Sequence, residues 1–421
     1  MNIEESIAVY RQSDKVKTIA ENLAVYAEPR MFLKGLSGSV DAFVASAVTF
    51  ATEQLHVFIL ADREEAAYFL NNLEQMIGRD KVLFFPMSHR RPYETEEVDN
   101  SNIQQRAETL NRINSGRRSR AVITYPEALS EKVITRKNLS KNTLRLSTGE
   151  KVSIDFLIEM LFEFEFERVD YVYEPGQFAV RGGIVDIFSF AYEKPIRIEL
   201  FGDEVESLRT FEPTTQLSVK SHQSVTIIPN VQEHLLKETR ESFLDFLPEK
   251  ATVWLKDLDI TCDLLDREFE IAEKAYAQTN KDLNYLKPEQ KFVHADALKH
   301  SLEKFAIIEF GQRTYFEKSE EILFRTAPQP SFNKNFELLA KNFRENSKSH
   351  YENIIAADNS KQIERIHAIF EDIHFKQEEN QKLDFSPLLV SLSEGFIDHD
   401  NKLAVYTDHQ IFERYHRFRL R

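Results

Sequence analysis

The feature that most constrains this chain is a change of period along it. Between residues 18 and 129, segments with a helical apolar repeat alternate with short apolar runs. After Ser39 the apolar positions are Val40, Phe43, Val44, Ala47, Val48 and Ala51, one face of a helix that Ser39 is placed to cap. HVFILAD (56–62), KVLFFP (81–86) and RAVITYP (120–126) read as buried strands, separated by the helical segments EEAAYFLNNLEQMI (64–77) and NIQQRAETLNRIN (102–114). Strand and helix in alternation predict a mainly parallel sheet covered by helices. From Val169 to Phe211 the pattern is different: VDYVYE, FAVRGGIVDIF, PIRIELF and VESLRTF are short strands joined by tight turns, an antiparallel meander.

The first pattern resumes after about residue 216, with strand ATVWLKD (251–257), a charged helix (264–277), helix DALKHSLEKF (296–305) and strand AIIEFG (306–311). The expected fold class is therefore multidomain α/β, a parallel-sheet domain interrupted by a mainly antiparallel insert. TAPQPSFNKN (326–335) is polar and carries prolines, as a connector does. A small α/β unit follows it. The boundaries read as 1–129 for the first part of the parallel domain, 130–215 for the insert, 216–328 for the return and 335–421 for the last unit. The ending HQIFERYHRFRLR is helix-forming and basic with no stop signal before Arg421, so the chain is expected to continue in a longer protein.

Glycine is scarce, 11 in 421 residues, so each one is expected where the backbone needs it. Two, Gly35 and Gly38, lie in LKGLSGSVDA, which has the outline of a phosphate-binding loop, G-x-x-x-x-G-K-[ST]. Counted from Gly35, the second glycine, the lysine and the hydroxyl residue are replaced by Val40, Asp41 and Ala42. An aspartate in the lysine position repels a phosphate by about 4 kcal/mol at ~4 Å and an effective dielectric near ~20. Gly, Ser and Asp before a helix are also ordinary capping chemistry. A decayed nucleotide loop and a plain helix start both remain open on this segment.

A net charge of −15 disfavours binding of nucleic acid by the chain as a whole and points to protein partners. Cys262 is the single cysteine, and the histidines show no metal or nucleophile spacing. No catalytic residue, metal site or cofactor is expected. Neither a signal peptide nor a membrane-length apolar run is present, which reads as a cytoplasmic protein without a membrane partner.

EPGQFAVRGGIVDIFSF (174–190) and PIRIELFGDEVESLRTFEP (195–213) resemble the second domain of the excision-repair helicase UvrB and, more closely, the equivalent domain of the transcription-repair coupling factor family. The resemblance is densest over 165–213; LKGLSGSVDA carries it over 30–130, and element order alone over 216–421. It implies a helicase-like first domain whose nucleotide loop (Gly35, Gly38, Ser39, Val40, Asp41, Ala42) has degenerated. It further implies that the insert recruits UvrA. RNA polymerase and duplex DNA would be engaged by C-terminal regions beyond Arg421, where an ATP- and magnesium-dependent motor would lie, and a C-terminal domain would mask the insert at rest.

Strand alternation puts Phe178 and Val180 on one face of the meander and Arg181, Arg197 and Glu199 on the other, positions matching those UvrB uses for UvrA; Arg168 matches another such arginine, and Phe188 is included as a candidate anchor. Ala179 stands where UvrB has arginine. Asp186, inside apolar IVDIF, is expected to pair with an arginine, because an unpaired carboxylate there is costly. Gly182 and Gly183 suggest a bulge or a close backbone approach. FPMSHRRPYETEEVDNSN (85–102) is short and has one tyrosine, unlike the long tyrosine-rich hairpin of UvrB. The competing readings are a UvrB-type damage verifier and an active P-loop ATPase.

Overall fold

The computed structural model describes residues 2–26, 28–88, 92–93, 100–116, 119–230, 239–279, 286–377 and 384–414. Two parts of the sequence reading fall partly outside them: the 85–102 segment, at 89–91 and 94–99, and the basic ending, at 415–421.

The five apolar runs, with Arg30–Lys34 and the mostly exposed edge strand Glu320–Leu323, form a seven-stranded, wholly parallel sheet. Its strands, in spatial order, are Glu320–Leu323, Arg30–Lys34, Ala306–Glu309, Thr252–Leu255, His56–Ile59, Ala121–Thr124 and Val82–Phe84. Strands buried on both faces need no polar alternation, so they read as continuous apolar runs. Thr252–Leu255 and Ala306–Glu309 lie between Arg30–Lys34 and His56–Ile59. The two stretches of sequence flanking the insert thus interleave in one sheet, which the first stretch cannot complete alone.

The insert forms a second sheet of six strands, ordered Ser218–His222, Glu204–Phe211, Ile196–Phe201, Ile184–Ile187, Gln177–Arg181 and Glu167–Arg168. All neighbours are antiparallel except the last pair. Its apolar face, including Phe178, Val185, Ile196 and Ile198, belongs to the main hydrophobic core. The expected boundary at residue 215 falls inside this unit. Ser218–His222 pairs with Glu204–Phe211, and Ser224–Ile227 pairs with Leu144–Ser147. Ser218–His222 is an exposed edge strand, so it lacks the buried alternation that marks a strand in sequence. Gly182 and Gly183 form the two-residue turn of a hairpin rather than a bulge, with Arg181 opposite Ile184. The close approach is at Gly183, where a Cβ would stand 2.7 Å from the Leu200 carbonyl oxygen.

A third sheet orders Thr326–Pro328, Phe396–Asp398, Leu403–Thr407, Glu352–Ala357 and Ser386–Leu389. Part of the segment read as a connector is therefore its edge strand, the position at which a sheet tolerates proline. One face packs on Phe336–Lys348 and Ser360–Gln377, with Phe343, Ile355, Ile366 and Tyr406 in a core of their own. Ile354, Leu392, Phe396 and Val405 instead join the main core. The Tyr10 ring stacks on Phe43 at 5.4 Å, Phe43 meets Phe396 at 5.6 Å, and the buried Tyr10 hydroxyl donates to Asp398 at 2.8 Å. The last unit is packed onto the parallel domain through a shared core.

His56 is wholly buried in the central sheet. Its Nδ1 accepts from Trp254 Nε1 at 3.0 Å and its Nε2 lies 2.7 Å from Thr52 Oγ1. Burial, with Arg120 nearby, depresses its pKa from 6.5 to about 3. The folded state therefore holds this imidazole neutral where the unfolded chain would protonate it. The stability it contributes is complete above pH ~6.5 and is lost as pH falls toward about 3. Denaturant unfolding of the parent across about pH 7 to 4.5 should show a loss from this group approaching about 1.4 kcal/mol per pH unit. His56→Gln should lower stability at neutral pH and remove about one proton from the pH slope; an unchanged slope would contradict the assignment.

Candidate functional site

Two places singled out by the sequence lie in different parts of the fold. The Gly35–Ala42 loop runs from the carboxyl end of Arg30–Lys34 into the helix Val40–Ala51, the switch at which open α/β sheets bind ligands. Here the chain itself occupies that position. Ser39 stands at the N-cap but makes no side-chain capping bond. Its Oγ accepts from Glu394 N at 3.1 Å and from Asn72 Nδ2 at 3.3 Å, and lies 3.2 Å from Ser393 Oγ. Asn72 also donates to Ser393 Oγ at 2.9 Å and accepts from Ser393 N at 3.0 Å; Gln75 accepts from Ser391 N at 2.9 Å. A Cβ on Gly38, whose φ is +56°, would stand 2.5 Å from the Gly395 carbonyl oxygen. One on Gly35, at φ +84°, would stand 2.3 Å from that of Phe324. These glycines admit the backbone of the last unit and of the strand leading to it.

The three departures from the phosphate-binding pattern have structural partners. Val40 and Ala42 are fully buried in the main core, so Val40 does not project toward a ligand as its position in the motif suggested. Asp41 faces Lys256, the residue after strand Thr252–Leu255, at 3.0 Å, and Lys256 meets Glu65 at 3.2 Å. Burial works to lower the Lys256 pKa, but Asp41 and Glu65 outweigh it and hold the ammonium above its ordinary value. Asp41, Glu65, Lys256 and Glu394 border a cleft of about 540 Å³ beside the loop. Burial and then Asp41 push the Glu394 carboxyl upward. Three carboxyl groups around one lysine make this a poor seat for a polyphosphate. Lys256, Asn72, Ser393 and Glu394 carry no local sequence signal, because each acts through contacts more than 190 residues away or across domains.

The second place is the outer face of the insert sheet. The register sets Arg197 opposite Asp186, Ala179 opposite Asp186, and Glu199 opposite Ser207. Asp186 is about 1% exposed. Its Oδ1 accepts from Arg197 Nε at 2.7 Å, and its Oδ2 accepts from Arg197 Nη2 at 2.9 Å and from Arg181 Nη2. The hydrogen bond to Asp186 raises the Arg197 pKa above its already high value. Arg197 also lies over the Phe211 ring at 4.6 Å. Glu199 accepts from Ser207 Oγ at 2.7 Å and from Arg209, and those bonds hold its carboxyl below the usual range. The structure thus gathers Arg181, Arg197 and Glu199 on one face, but as members of ion pairs. Arg168 is exposed on the edge strand, with no side-chain hydrogen bond or ion pair among the described residues; the register sets it opposite Phe178, so it lies on the other side of the sheet from Arg181 and Arg197.

Phe188 does not fit the role of an exposed anchor. It is about 5% exposed and packs with Val172, Ala179 and Phe211 in a small cluster on this face. The same cluster accounts for Ala179, at 2% exposure a site with no room for an arginine pointing outward. The sequence reading missed Tyr171, which is 53% exposed and has the Arg181 guanidinium 5.0 Å from its ring centroid, and Arg209, the partner of Glu199.

These two places define the class of the molecule: a parallel α/β protein bearing an inserted β-sheet with a charged outer face. The UvrB interaction domain family model matches residues 144–232, which are the six-stranded sheet and its flanking elements. The chain is similar to transcription-repair-coupling factors, and this match together with those relatives supports an N-terminal region of such a factor. The protein of that name from Bacillus subtilis is 26% identical over 284 residues, 67% of this chain and 23% of the relative. That from Myxococcus xanthus is 29% identical over 220 residues, 51% and 18% respectively. That from Staphylococcus aureus is 22% identical over 454 residues, 92% and 39%. The chain spans between about a fifth and two fifths of the length of these relatives.

The contact at Gly38 gives a direct expectation. Gly38→Ala combines a positive φ with a clash against backbone, and should destabilise the chain by roughly 1–3 kcal/mol in denaturant unfolding. Gly149→Ala, where φ is +83° but nothing lies within 4 Å of a Cβ, should cost less; equal costs would show that the Gly395 contact does not constrain the loop.

Proposed function

We propose that this chain is the UvrB-like arm of a transcription-repair coupling factor, a protein-binding module that recruits UvrA to a stalled RNA polymerase during nucleotide excision repair. The observation that carries this reading is the insert: a sheet seated on the core by one face and offering arginines on the other, within the region that matches the UvrB interaction domain. In this reading the loop at Gly35 is a degenerate nucleotide site and the chain itself is not an ATPase. ATP-driven translocation on duplex DNA and displacement of polymerase belong to the full-length factor, whose C-terminal domain masks the insert at rest.

On the outer face Arg181 keeps exposed surface beside Tyr171 for a partner carboxylate, while Arg197 holds the sheet; Arg168 is exposed at the sheet edge on the opposite side. Truncating one arginine of a buried interface pair costs roughly 2–5 kcal/mol, or about 30- to several-thousand-fold in affinity. Arg168→Glu, at an exposed site without an ion pair among the described residues, should weaken UvrA binding at least about tenfold in calorimetry and leave the melting temperature near that of the parent. Arg181→Ala should act in the same direction. Parent-like binding by Arg181→Ala would remove the outer face from the interface, and parent-like binding by Arg168→Glu would remove the sheet edge. Binding should also weaken as salt rises, since exposed charges are screened.

The competing readings make different predictions. Titration with a fluorescent ATP analogue and magnesium should give no saturable binding below about millimolar; a micromolar Kd lost on mutation of Gly38 would favour an active ATPase. Preference for damaged over intact duplex in a gel shift at physiological salt would favour a UvrB-type damage verifier.

A further inference from the structure

We infer that Asp186 is a positioning residue for the docking face, a buried carboxylate that presets Arg181 and Arg197 so that a single guanidinium edge, that of Arg181 beside Tyr171, is offered to an Asp or Glu carboxylate on the partner. This rests on the docking reading above and refines it: the face works as a constellation ordered by one carboxylate, not as a set of independent cations.

Asp186 sits on Ile184–Ile187, a central strand, flanked by the strands that carry the two arginines. Both of its oxygens are used. Arg197 closes on it as a two-pronged fork, with further bonds from Nη1 to the Gln216 carbonyl at 3.3 Å and from Nη2 to Gln216 Oε1 at 3.5 Å. At 15% side-chain exposure Arg197 has little edge left for a partner. Arg181 gives Nη2 to Asp186 and Nη1 to the Asp170 carbonyl at 3.3 Å, yet keeps 37% of its side chain exposed. Its guanidinium lies against Tyr171, itself 53% exposed.

Within these ion pairs Arg181, Arg197 and Arg209 stand against Asp186 and Glu199; Arg181 and Arg209 keep 37% and 33% of their side chains exposed, and Arg181 is the one that lies against Tyr171. An arginine already held in place loses little side-chain entropy when it binds a carboxylate, and an aromatic plate beside it excludes water from the new pair. Arginine and tyrosine are also the residue types that concentrate binding energy at interfaces.

A double-mutant cycle tests the proposal. Asp186→Asn keeps the volume and removes the charge. It should weaken UvrA binding about tenfold or more, and should change affinity less than about twofold when introduced into Arg181→Ala, because its effect passes through that arginine. Tyr171→Leu, at a half-exposed position that leaves the core intact, should weaken binding about threefold or more and likewise lose its effect in Arg181→Ala. A purely structural Asp186 would lower affinity by the same factor in both backgrounds, which would overturn the proposal, as would parent-like binding by Tyr171→Leu. If Asp186→Asn does not fold, the Tyr171→Leu cycle decides. Side-chain ¹⁵N NMR of the free chain is the readout that needs no partner. Arg181 and Arg197 should give sharp, slowly exchanging guanidinium signals in the parent; signals like those of free arginine would overturn the clamp. Absence of UvrA binding by the parent refutes the docking reading, and the NMR result still decides whether the arginines are preset.

Discussion

The interleaving of strands from both sides of the insert is the constraint on which the rest of the structure depends. Thr252–Leu255 and Ala306–Glu309 fill the space between Arg30–Lys34 and His56–Ile59. Until they do, the loop at Gly35 has no Lys256 to meet Asp41, and Trp254 has no contact with His56. The chain passes between this sheet and the insert through Val133–Ile134 and Arg240–Glu241, which pair with each other. The apolar face of the insert completes the burial, and its outer face is left as a rigid surface. A stiff platform suits recognition by arginine, because the cost of ordering long side chains is met during folding and not during association.

The same closure explains the contacts of the loop. A glycine-containing turn at the carboxyl edge of a parallel sheet is a place where backbone can approach closely. Here Ser393–Gly395 makes that approach, tied by Ser39 and Asn72, and the surrounding charge is mostly acidic. Val40 and Ala42 pack in the main core and Asp41 pairs with Lys256 of the parallel domain, while Ser39, Asn72 and Gly38 meet Ser393–Gly395 of the last unit. In physical terms the loop serves as a joint between domains.

Much of this was legible in the sequence, for identifiable reasons. His56–Ile59, Ala121–Thr124 and Thr252–Leu255 announce themselves as unbroken apolar runs because both faces of their sheet are covered. The insert shows through its alternation, as in the buried and half-buried succession along Ile196–Phe201. Asp186 inside IVDIF signals a buried ion pair, since an apolar strand retains a carboxylate only with a partner. The end of the insert was not legible, because Ser218–His222 is an exposed polar edge. Thr326–Pro328 passes for a connector because its strand character comes only from pairing with Phe396–Asp398. Strand order, and with it the Asp41–Lys256 and Ser39–Glu394 contacts, depends on long-range pairing that no local window contains. Alternation put Arg181, Arg197 and Glu199 on one face, but it could not tell which were free and which were engaged.

The proposed docking site for UvrA is the outer face of the insert, and not the cleft at Gly35. Hydrogen exchange of the chain alone and in complex with UvrA tests that claim most directly. The account predicts added protection in Glu167–Arg181 and Ile196–Phe201, with the Gly35–Ala42 loop and Ser391–Gly395 unchanged. Protection concentrated at that loop, or a complex that leaves the insert strands exchanging as in the free chain, would contradict it.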